Sequence, residues 1–216
     1  RFIASPAPKT DSTIAAIDRL YAPFLTESCT DRTLATALKG QIARRTAAST
    51  RATLAWMHGQ ADPAPWLEQV RQCDERIREL LGQDLHLAFR RFEQTLPDRE
   101  RIERFRQQAS NAAAEFSLDK EQRLVAALAE TRSRTTWSQP LSRRESITTD
   151  LSSLFHPATL DLYEREETAL IESFRPRLES LLGIELATQL HQFSVNDLRS
   201  RVAELRRLTA SPRVEG

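Results

Sequence analysis

The chain has 216 residues, of which 40% are hydrophobic and 28% are charged, a composition that supplies a packed core and argues against long disordered stretches. Lysine and arginine number 31 against 30 acidic residues, so the net charge of +1 gives no case for binding nucleic acid through bulk charge. Only five glycines are present, which argues against tight β-hairpins and glycine-rich nucleotide loops.

The N-terminal residues 1–18 predict a flexible tether. The chain begins Arg1-Phe2 without an initiator methionine, and residues 3–12 are small, polar and proline-containing. Such a tether commonly follows a removed signal peptide or a membrane anchor. We therefore expect a periplasmic protein, held at the inner membrane if the missing segment was an anchor; a cytosolic protein cut at this position is the alternative. The strong excess of arginine over lysine favours a GC-rich bacterial genome.

The apolar spacing is helical along the rest of the chain. Leu34, Leu38 and Ile42 recur every four residues, and no stretch shows sustained apolar–polar alternation with β-branched enrichment. The pattern predicts an all-α antiparallel helical bundle of about seven or eight helices. The longest stripe with helical spacing comprises Trp66, Val70, Cys73, Ile77, Leu80, Leu81 and Leu85.

Glycine, proline and capping residues predict where the helices begin and end. Gly59 and residues 62–65 separate a helix that ends near Met57 from one that begins near Trp66. Pro176 lies in a helical stretch and predicts a kink or two abutting helices. Further boundaries are predicted at 95–98, Ser117 or Asp119, Gln139-Pro140, His156-Pro157 and 194–197.

The two halves of the chain share a weak internal repeat. Leu80-Leu81-Gly82 and Leu181-Leu182-Gly183 lie 101 residues apart, and a phenylalanine, Phe92 or Phe193, follows each glycine ten residues later. We interpret the pattern as a duplicated unit of a few antiparallel helices, with coincident amphipathic spacing as the alternative. The predicted first half is 19–112, the second half is 113–210, and 211–216 is a tail.

The residues that could carry chemistry form no catalytic, metal or cofactor constellation. The four histidines, at positions 58, 86, 156 and 191, lie at no metal-ligand spacing. Acids interleave nearly every arginine cluster, as in the run 98–104, which predicts a salt-bridged surface or an interhelical seam. We therefore expect no enzymatic activity, no cofactor, no metal and no nucleic-acid partner.

Cys29 and Cys73 are the only cysteines. If their helices are antiparallel neighbours in an exported protein, the two sulfurs would form a disulfide that closes a loop of about 44 residues. The alternative is a pair of free thiols, with Cys73 acting as a small core hydrophobe.

One helix start resembles a known family. The segment Phe116-Ser117-Leu118-Asp119-Lys120-Glu121-Gln122, followed by Leu124 and Leu128, is similar to the Leu-Thr-x-x-Gln motif of periplasmic Spy/CpxP-like helical proteins, with Leu118-Asp119 in place of Leu-Thr. The resemblance covers this segment well and the remaining chain only in its helical style. It implies an envelope protein with chaperone-like, inhibitory or stress-sensing roles and no catalysis.

Two functions remain open at this point. The first is a non-enzymatic periplasmic binding protein, chaperone-like or regulatory, that engages a protein client or an envelope partner. Its apolar contact face would contain Trp66, Val70, Phe89 and Phe92. The alternative is a membrane-anchored scaffolding domain that docks a partner or forms a homodimer, or a steric foldase for a secreted protein.

Overall fold

Eight helices make up the described part of the chain. The computed structural model describes residues 10–28, 31–59, 61–108, 116–144 and 151–210. About 90% of these residues are helical and none lies in a strand, so the predicted all-α fold is confirmed. The helices are α1 (Thr10–Ser28), α2 (Arg32–His58), α3 (Ala64–Gln108), α4 (Leu118–Ser133), α5 (Pro140–Arg143), α6 (Leu151–Leu154), α7 (Pro157–Leu182) and α8 (Ile184–Ala210).

Several helices begin or end where the sequence predicts. Gly59 follows α2 with φ 59°, in the left-handed region that favours glycine. Ser117 caps α4, because its side chain accepts a hydrogen bond from the backbone N–H of Lys120 at 3.2 Å. Helices α5 and α7 begin at the predicted prolines, Pro140 and Pro157. These four boundaries are confirmed.

Three other predicted boundaries are absent. Helix α3 runs through Pro97 and α8 runs through residues 194–197, so the helix starts predicted at 95–98 and 194–197 are wrong. Pro176 lies inside the single helix α7, so two abutting helices are absent there, and the kink stays a prediction. Asp98 and Leu198, which follow two of these positions, are buried. Packing and burial of these side chains outweigh the local proline and capping signals.

The chain divides into two compact units. Among the described residues, the first unit comprises those up to Glu93, and the second comprises those from Gln94 onward. This division differs from the one expected at residue 112. Helix α1 begins at Thr10, so residues 10–18 are helical where a tether was expected, and residues 1–9 and the tail 211–216 lie outside the described residues. Within those residues, no helix has an apolar stretch long enough to cross a bilayer.

An aromatic cluster forms the centre of the first unit. Tyr21 and Phe24 of α1 pack against Phe89 and Phe92 of α3, with ring centroids 5.3 to 6.0 Å apart. Such ring pairs add to the stabilisation from burying their apolar area. The other buried apolar side chains of this unit are Ile17, Leu25, Leu38, Ile42, Ala48, Ala52, Val70, Cys73, Ile77 and Leu81.

The core of the second unit lies among α3, α4, α7 and α8. Phe105 of α3 packs against Phe116 and Phe193, with ring centroids 6.2 and 5.6 Å away. The buried apolar cluster around it comprises Ile102, Phe105, Phe116, Leu124, Val125, Ala127, Phe174, Leu178, Leu186, Ala187 and Leu190.

A single glycine reverses the direction of α3. Gly82 has φ 66° and ψ 179° and divides the helix into residues 64–81 and 83–108. In a straight helix, residues 74 and 93 would lie about 28 Å apart. Instead, carboxylate oxygens of Asp74 and Glu93 both lie within 3.2 Å of Arg45 Nη1. Helix α3 therefore folds back on itself at Gly82.

A second glycine makes the same reversal between α7 and α8. Gly183 has φ 81° and ψ 163°, and across it Glu172 Oε1 and His191 Nε2 lie 3.2 Å apart. Residues before the two glycines also share their burial, since Val70, Cys73, Ile77 and their repeat equivalents Ile171, Phe174, Leu178 are all buried. The two corners match the predicted repeat locally. Duplication of the whole segments 66–106 and 167–206 stays a prediction.

Replacing either corner glycine with alanine should destabilise the fold. A Cβ at either position would meet no atom within 4 Å, so the cost arises from the backbone. Positive φ combined with extended ψ is essentially restricted to glycine. We expect Gly82→Ala and Gly183→Ala each to lower the free energy of unfolding by about 1–3 kcal/mol, measured by urea denaturation followed by circular dichroism.

Gly40→Ala is the matched control. Gly40 lies inside α2 in equally open surroundings, so alanine there should raise the free energy of unfolding by up to about 1 kcal/mol. Equal effects at all three glycines would contradict the backbone argument.

Candidate functional site

In the first unit, Arg45 of α2 binds two carboxylates of α3. Its Nη1 donates to Asp74 Oδ1 at 2.7 Å and to Glu93 Oε2 at 3.2 Å, and its Nη2 donates to Glu93 Oε1. Glu93 Oε1 also accepts a hydrogen bond from the Tyr21 hydroxyl at 2.9 Å. Because these side chains are mostly buried, their opposite charges compensate one another where water cannot.

These contacts hold Tyr21 and Arg45 in fixed protonation states. Burial and the negative charge of Glu93 raise the pKa of the Tyr21 hydroxyl well above its ordinary value. Burial alone would lower the pKa of Arg45, but the negative charge and hydrogen bonds of Glu93 oppose this effect, and the pKa lies above its ordinary value. Near neutral pH neither group exchanges a proton, so neither can act as a general acid or base.

Two buried arginine–carboxylate pairs lie in the second unit. Arg144, which follows α5, donates two hydrogen bonds to Asp98 of α3 at 2.6 and 2.8 Å. Arg132 of α4 donates two to Glu167 of α7 at 2.6 and 2.9 Å. All four side chains are buried. In each pair, the two terminal nitrogens of the planar guanidinium bond the two carboxylate oxygens, so the contact is bidentate.

Asp197 of α8 gathers three further arginines. Arg104 Nη2 lies 3.0 and 2.9 Å from its two carboxylate oxygens, and Arg201 Nε lies 3.2 Å from Oδ2. Arg101 Nε lies 3.6 Å from the same oxygen, and its terminal nitrogens lie within 3.9 Å of both carboxylates of the buried pairs. We name the whole group the arginine cluster: Asp98, Arg101, Arg104, Arg132, Arg144, Glu167, Asp197 and Arg201.

Asp98 of the arginine cluster stays ionised near neutral pH. Burial alone would raise the pKa of the Asp98 carboxyl, but Arg144, with Arg132 and Arg101 nearby, holds it below its usual range. Burial and the charge of Glu167 raise the pKa of the neighbouring Tyr163 hydroxyl. Near neutral pH Asp98 therefore stays charged and Tyr163 stays neutral, so neither is poised to transfer a proton.

A small cavity and a broad surface groove accompany the cluster in the second unit. The cavity has a volume of about 30 Å³, is mainly apolar, and is bordered by Arg101, His191 and Ser194. It has room for about one or two water molecules. The groove, of about 650 Å³, is lined by Asp161, Glu164, Arg165, Thr168, Ala169, Arg199 and Arg206.

The apolar face expected to meet a partner belongs to the core of the first unit. Val70 and Phe89 are buried, and Trp66 and Phe92 are half-buried. The rings of α1 cover Phe89 and Phe92, and Arg51 lies over the Trp66 ring at 5.0 Å. The expectation of an open apolar face at these four residues is therefore corrected, because aromatic side chains of α1 pack over it.

The cysteines and histidines give no second site. Cys73 is buried, and burial raises the pKa of its thiol, which lowers its reactivity. Cys29 lies outside the described residues, so the disulfide stays a prediction. Across the described ranges, no three potential metal ligands among His, Cys, Asp and Glu come together.

Sequence reasoning found the arginine cluster only in part. The run 98–104 predicted a surface or an interhelical seam, and the structure places Asp98 and Arg101 in a buried seam of the second unit. Their spacing from the buried Ile102 and Phe105 is the signal that could have shown this, since all four share one helix face. Glu167 carries the same signal, since it lies three, four and seven residues before the buried Leu170, Ile171 and Phe174, although its immediate neighbours in sequence are all charged or polar.

The arrangement supplies fixed charge and a charged surface rather than reacting groups. Comparison of the chain with protein-family models, curated proteins and solved structures gives no match.

Removing the charge of Asp98 should strongly destabilise the second unit. Asp98→Asn leaves Arg144 buried without its carboxylate, and we expect the free energy of unfolding to fall by about 3–5 kcal/mol. Asp119→Asn is the control, since Asp119 forms an exposed pair with Arg123 on α4 and should change stability by less than about 0.5 kcal/mol. Urea denaturation of both variants measures the difference.

The pH dependence gives a second readout of the same pair. Because the pKa of Asp98 is lower in the folded than in the unfolded chain, its contribution is present above about pH 4 and is lost as the pH falls below that. Stability of the natural chain should therefore fall more steeply in acid than that of Asp98→Asn. Equal acid sensitivity would contradict the assignment.

Both tyrosines should ionise above their ordinary pKa in the folded protein. Tyr21 and Tyr163 are the only two in the chain, and folding raises the pKa of each, so their stabilising effect is lost as the pH rises above about 10. Ultraviolet absorbance should show little phenolate at that pH in the native state and roughly half ionisation in urea. Glu93→Gln should lower the pKa of Tyr21 and leave that of Tyr163 unchanged; no difference between the two tyrosines would count against the Glu93 contact.

Proposed function

We propose that this chain is a non-enzymatic helical protein of the bacterial periplasm that acts by protein–protein contact, in a chaperone-like or regulatory role. The observation that carries the proposal is the mutual pairing of buried charges. Each carboxylate of the Arg45 site and of the arginine cluster is bound by at least one arginine. General acid–base and nucleophilic catalysis need a group free to move a proton or to attack, and closed pairs supply neither.

The sizes of the concave sites support the same proposal. Small-molecule sites usually occupy about 300–1,000 Å³ and enclose most of the ligand. The buried cavity of about 30 Å³ is far smaller. The groove of about 650 Å³ has the volume, but its acids Asp161 and Glu164 are already bound by Arg206 at 2.6 and 2.7 Å. A mixed-charge surface of this kind suits contact with another protein.

Three exposed apolar side chains supply contact points for a protein client. Leu54 and Leu87 of the first unit are 45% and 51% exposed, and Ile184 of the second unit is 76% exposed. Exposed apolar groups bind the apolar segments that an unfolded client presents. They replace, in this proposal, the contact face that the sequence placed at Trp66 and its neighbours.

The envelope location rests on the resemblance at the start of α4. Ser117 caps that helix and residues 118–122 occupy its first turns, as the similarity to Spy/CpxP-like proteins implies for a helical motif. Periplasmic proteins of that style act on other proteins without catalysis. The resemblance thus supports both parts of the proposal, the periplasmic location and action by protein–protein contact.

Suppression of client aggregation tests the proposal. Purified protein added to a chemically reduced, aggregating client should lower light scattering at roughly equimolar ratio, because binding is stoichiometric and not catalytic. The double variant Leu54→Gln, Leu87→Gln should require about twice as much protein or more for the same effect. Both positions are exposed, so the free energy of unfolding should change by less than about 0.5 kcal/mol per site.

Arg91→Gln is the matched control, because Arg91 is an exposed residue one turn from Leu87 and its change leaves the apolar contact points intact. Unchanged scattering at several-fold excess of protein would contradict the chaperone-like role. Turnover of a small molecule by the purified chain would contradict the non-enzymatic assignment.

A further inference from the structure

Positive charge exceeds negative charge at one edge of the arginine cluster. Arg144 and Arg132 close the two bidentate pairs with Asp98 and Glu167. Three guanidiniums then remain around a single carboxylate, that of Asp197, so the local excess is two positive charges. Arg101 also lies 3.7 Å from Asp98 and 3.9 Å from Glu167, but the charges of those two carboxylates are already balanced by Arg144 and Arg132.

Arg101 contributes a charge to this excess that water reaches poorly. Its side chain is only 7% exposed, and its nearest carboxylate oxygens lie 3.6 to 3.9 Å away, beyond hydrogen-bond distance. Its buried Nε has no hydrogen-bond partner among the described residues. A buried guanidinium without a hydrogen bond is costly, so a further anion near Asp197 would stabilise it.

Arg104 and Arg201 present unused donors beside this buried charge. Each side chain is 35% exposed. Arg104 contacts Asp197 through Nη2 alone and Arg201 through Nε alone. Their other guanidinium N–H groups make no hydrogen bond within the described ranges. The two arginines lie on different helices, α3 and α8, and contact the same carboxylate.

We propose that Arg104 and Arg201, backed by Arg101, form a binding site for a tetrahedral oxyanion of the phosphate class. Two partly exposed guanidiniums that share one carboxylate present several N–H donors, which suits the several oxygens of a phosphate. The dianion would balance the excess of two positive charges, whereas a carboxylate would balance half of it. The site goes beyond the proposed protein contact and does not depend on it.

Isothermal titration of inorganic phosphate into the full chain tests the site. At an ionic strength of about 0.15 M, exposed charges more than about 8 Å apart are largely screened, so binding there reports the local site. We expect one saturable site per chain, with affinity lowered about tenfold or more by Arg104→Gln and, separately, by Arg201→Gln. Circular dichroism verifies that each variant is folded.

Two further variants separate a binding site from a structural cluster. Arg123→Gln removes an exposed arginine of α4 that lies in a separate pair with Asp119, and it should leave the phosphate affinity within about twofold. Asp197→Asn removes the one carboxylate that repels the dianion, so the affinity should rise about threefold or more even as the protein becomes less stable. A purely structural role predicts no such rise.

The choice of anion identifies the source of the ligand. Sulfate should compete with phosphate, and acetate at equal ionic strength should not, because it carries one charge and two oxygens. Tighter binding of phenyl phosphate than of inorganic phosphate would assign the site to a phosphomonoester, and the reverse order would assign it to free phosphate. Absence of saturable binding, an affinity that neither Arg104→Gln nor Arg201→Gln lowers, or competition by acetate as strong as by sulfate would overturn the proposal.

Discussion

Removing a charged side chain from water costs several kcal/mol unless an opposite charge with good hydrogen-bond geometry meets it. The second unit meets this requirement with Asp98–Arg144 and Glu167–Arg132, which join α3, α4, α7 and the end of α5. Each pair is bidentate, so it fixes the distance and also the angle between the elements that carry it. We regard this as a device for specifying one packing of helices rather than as a large net source of stability, since apolar residues in the same places would often stabilise as well or better.

In the first unit, a buried charge with paired carboxylates also fixes how the helices pack. Helix α2 is rich in alanine and threonine, so few large side chains restrict its freedom to slide along its neighbours. Arg45 removes that freedom by binding both arms of α3 at once. Tyr21 adds α1 to the same contact. One guanidinium thus positions three helices around the aromatic cluster.

Periodicity and helix-ending residues predicted the helical class and several helix ends, because those signals act over a few residues. The helix starts predicted at 95–98 and 194–197 were wrong because contacts with residues distant in sequence keep those helices continuous, such as the contact of Arg144 with Asp98. The arginine cluster was hard to predict for the same reason. Arginines and acids at helical spacing look alike whether the face that carries them is solvated or buried, and Glu167 lies among polar neighbours although it is almost fully covered. The positions of α1 and of the unit boundary also follow from such long-range contacts.

The one-residue corner at Gly183 has a consequence for how this chain can change in length. Because no loop separates α7 from α8, the rotation of α8 about its own axis is fixed by the end of α7. Inserting one residue after Gly183 would turn every following side chain by about 100°, carrying Leu186, Leu190 and Asp197 away from their partners together. Insertions are therefore excluded from both arms of the hairpin unless they add close to whole turns, and variation in length is confined to the connections between the other helices.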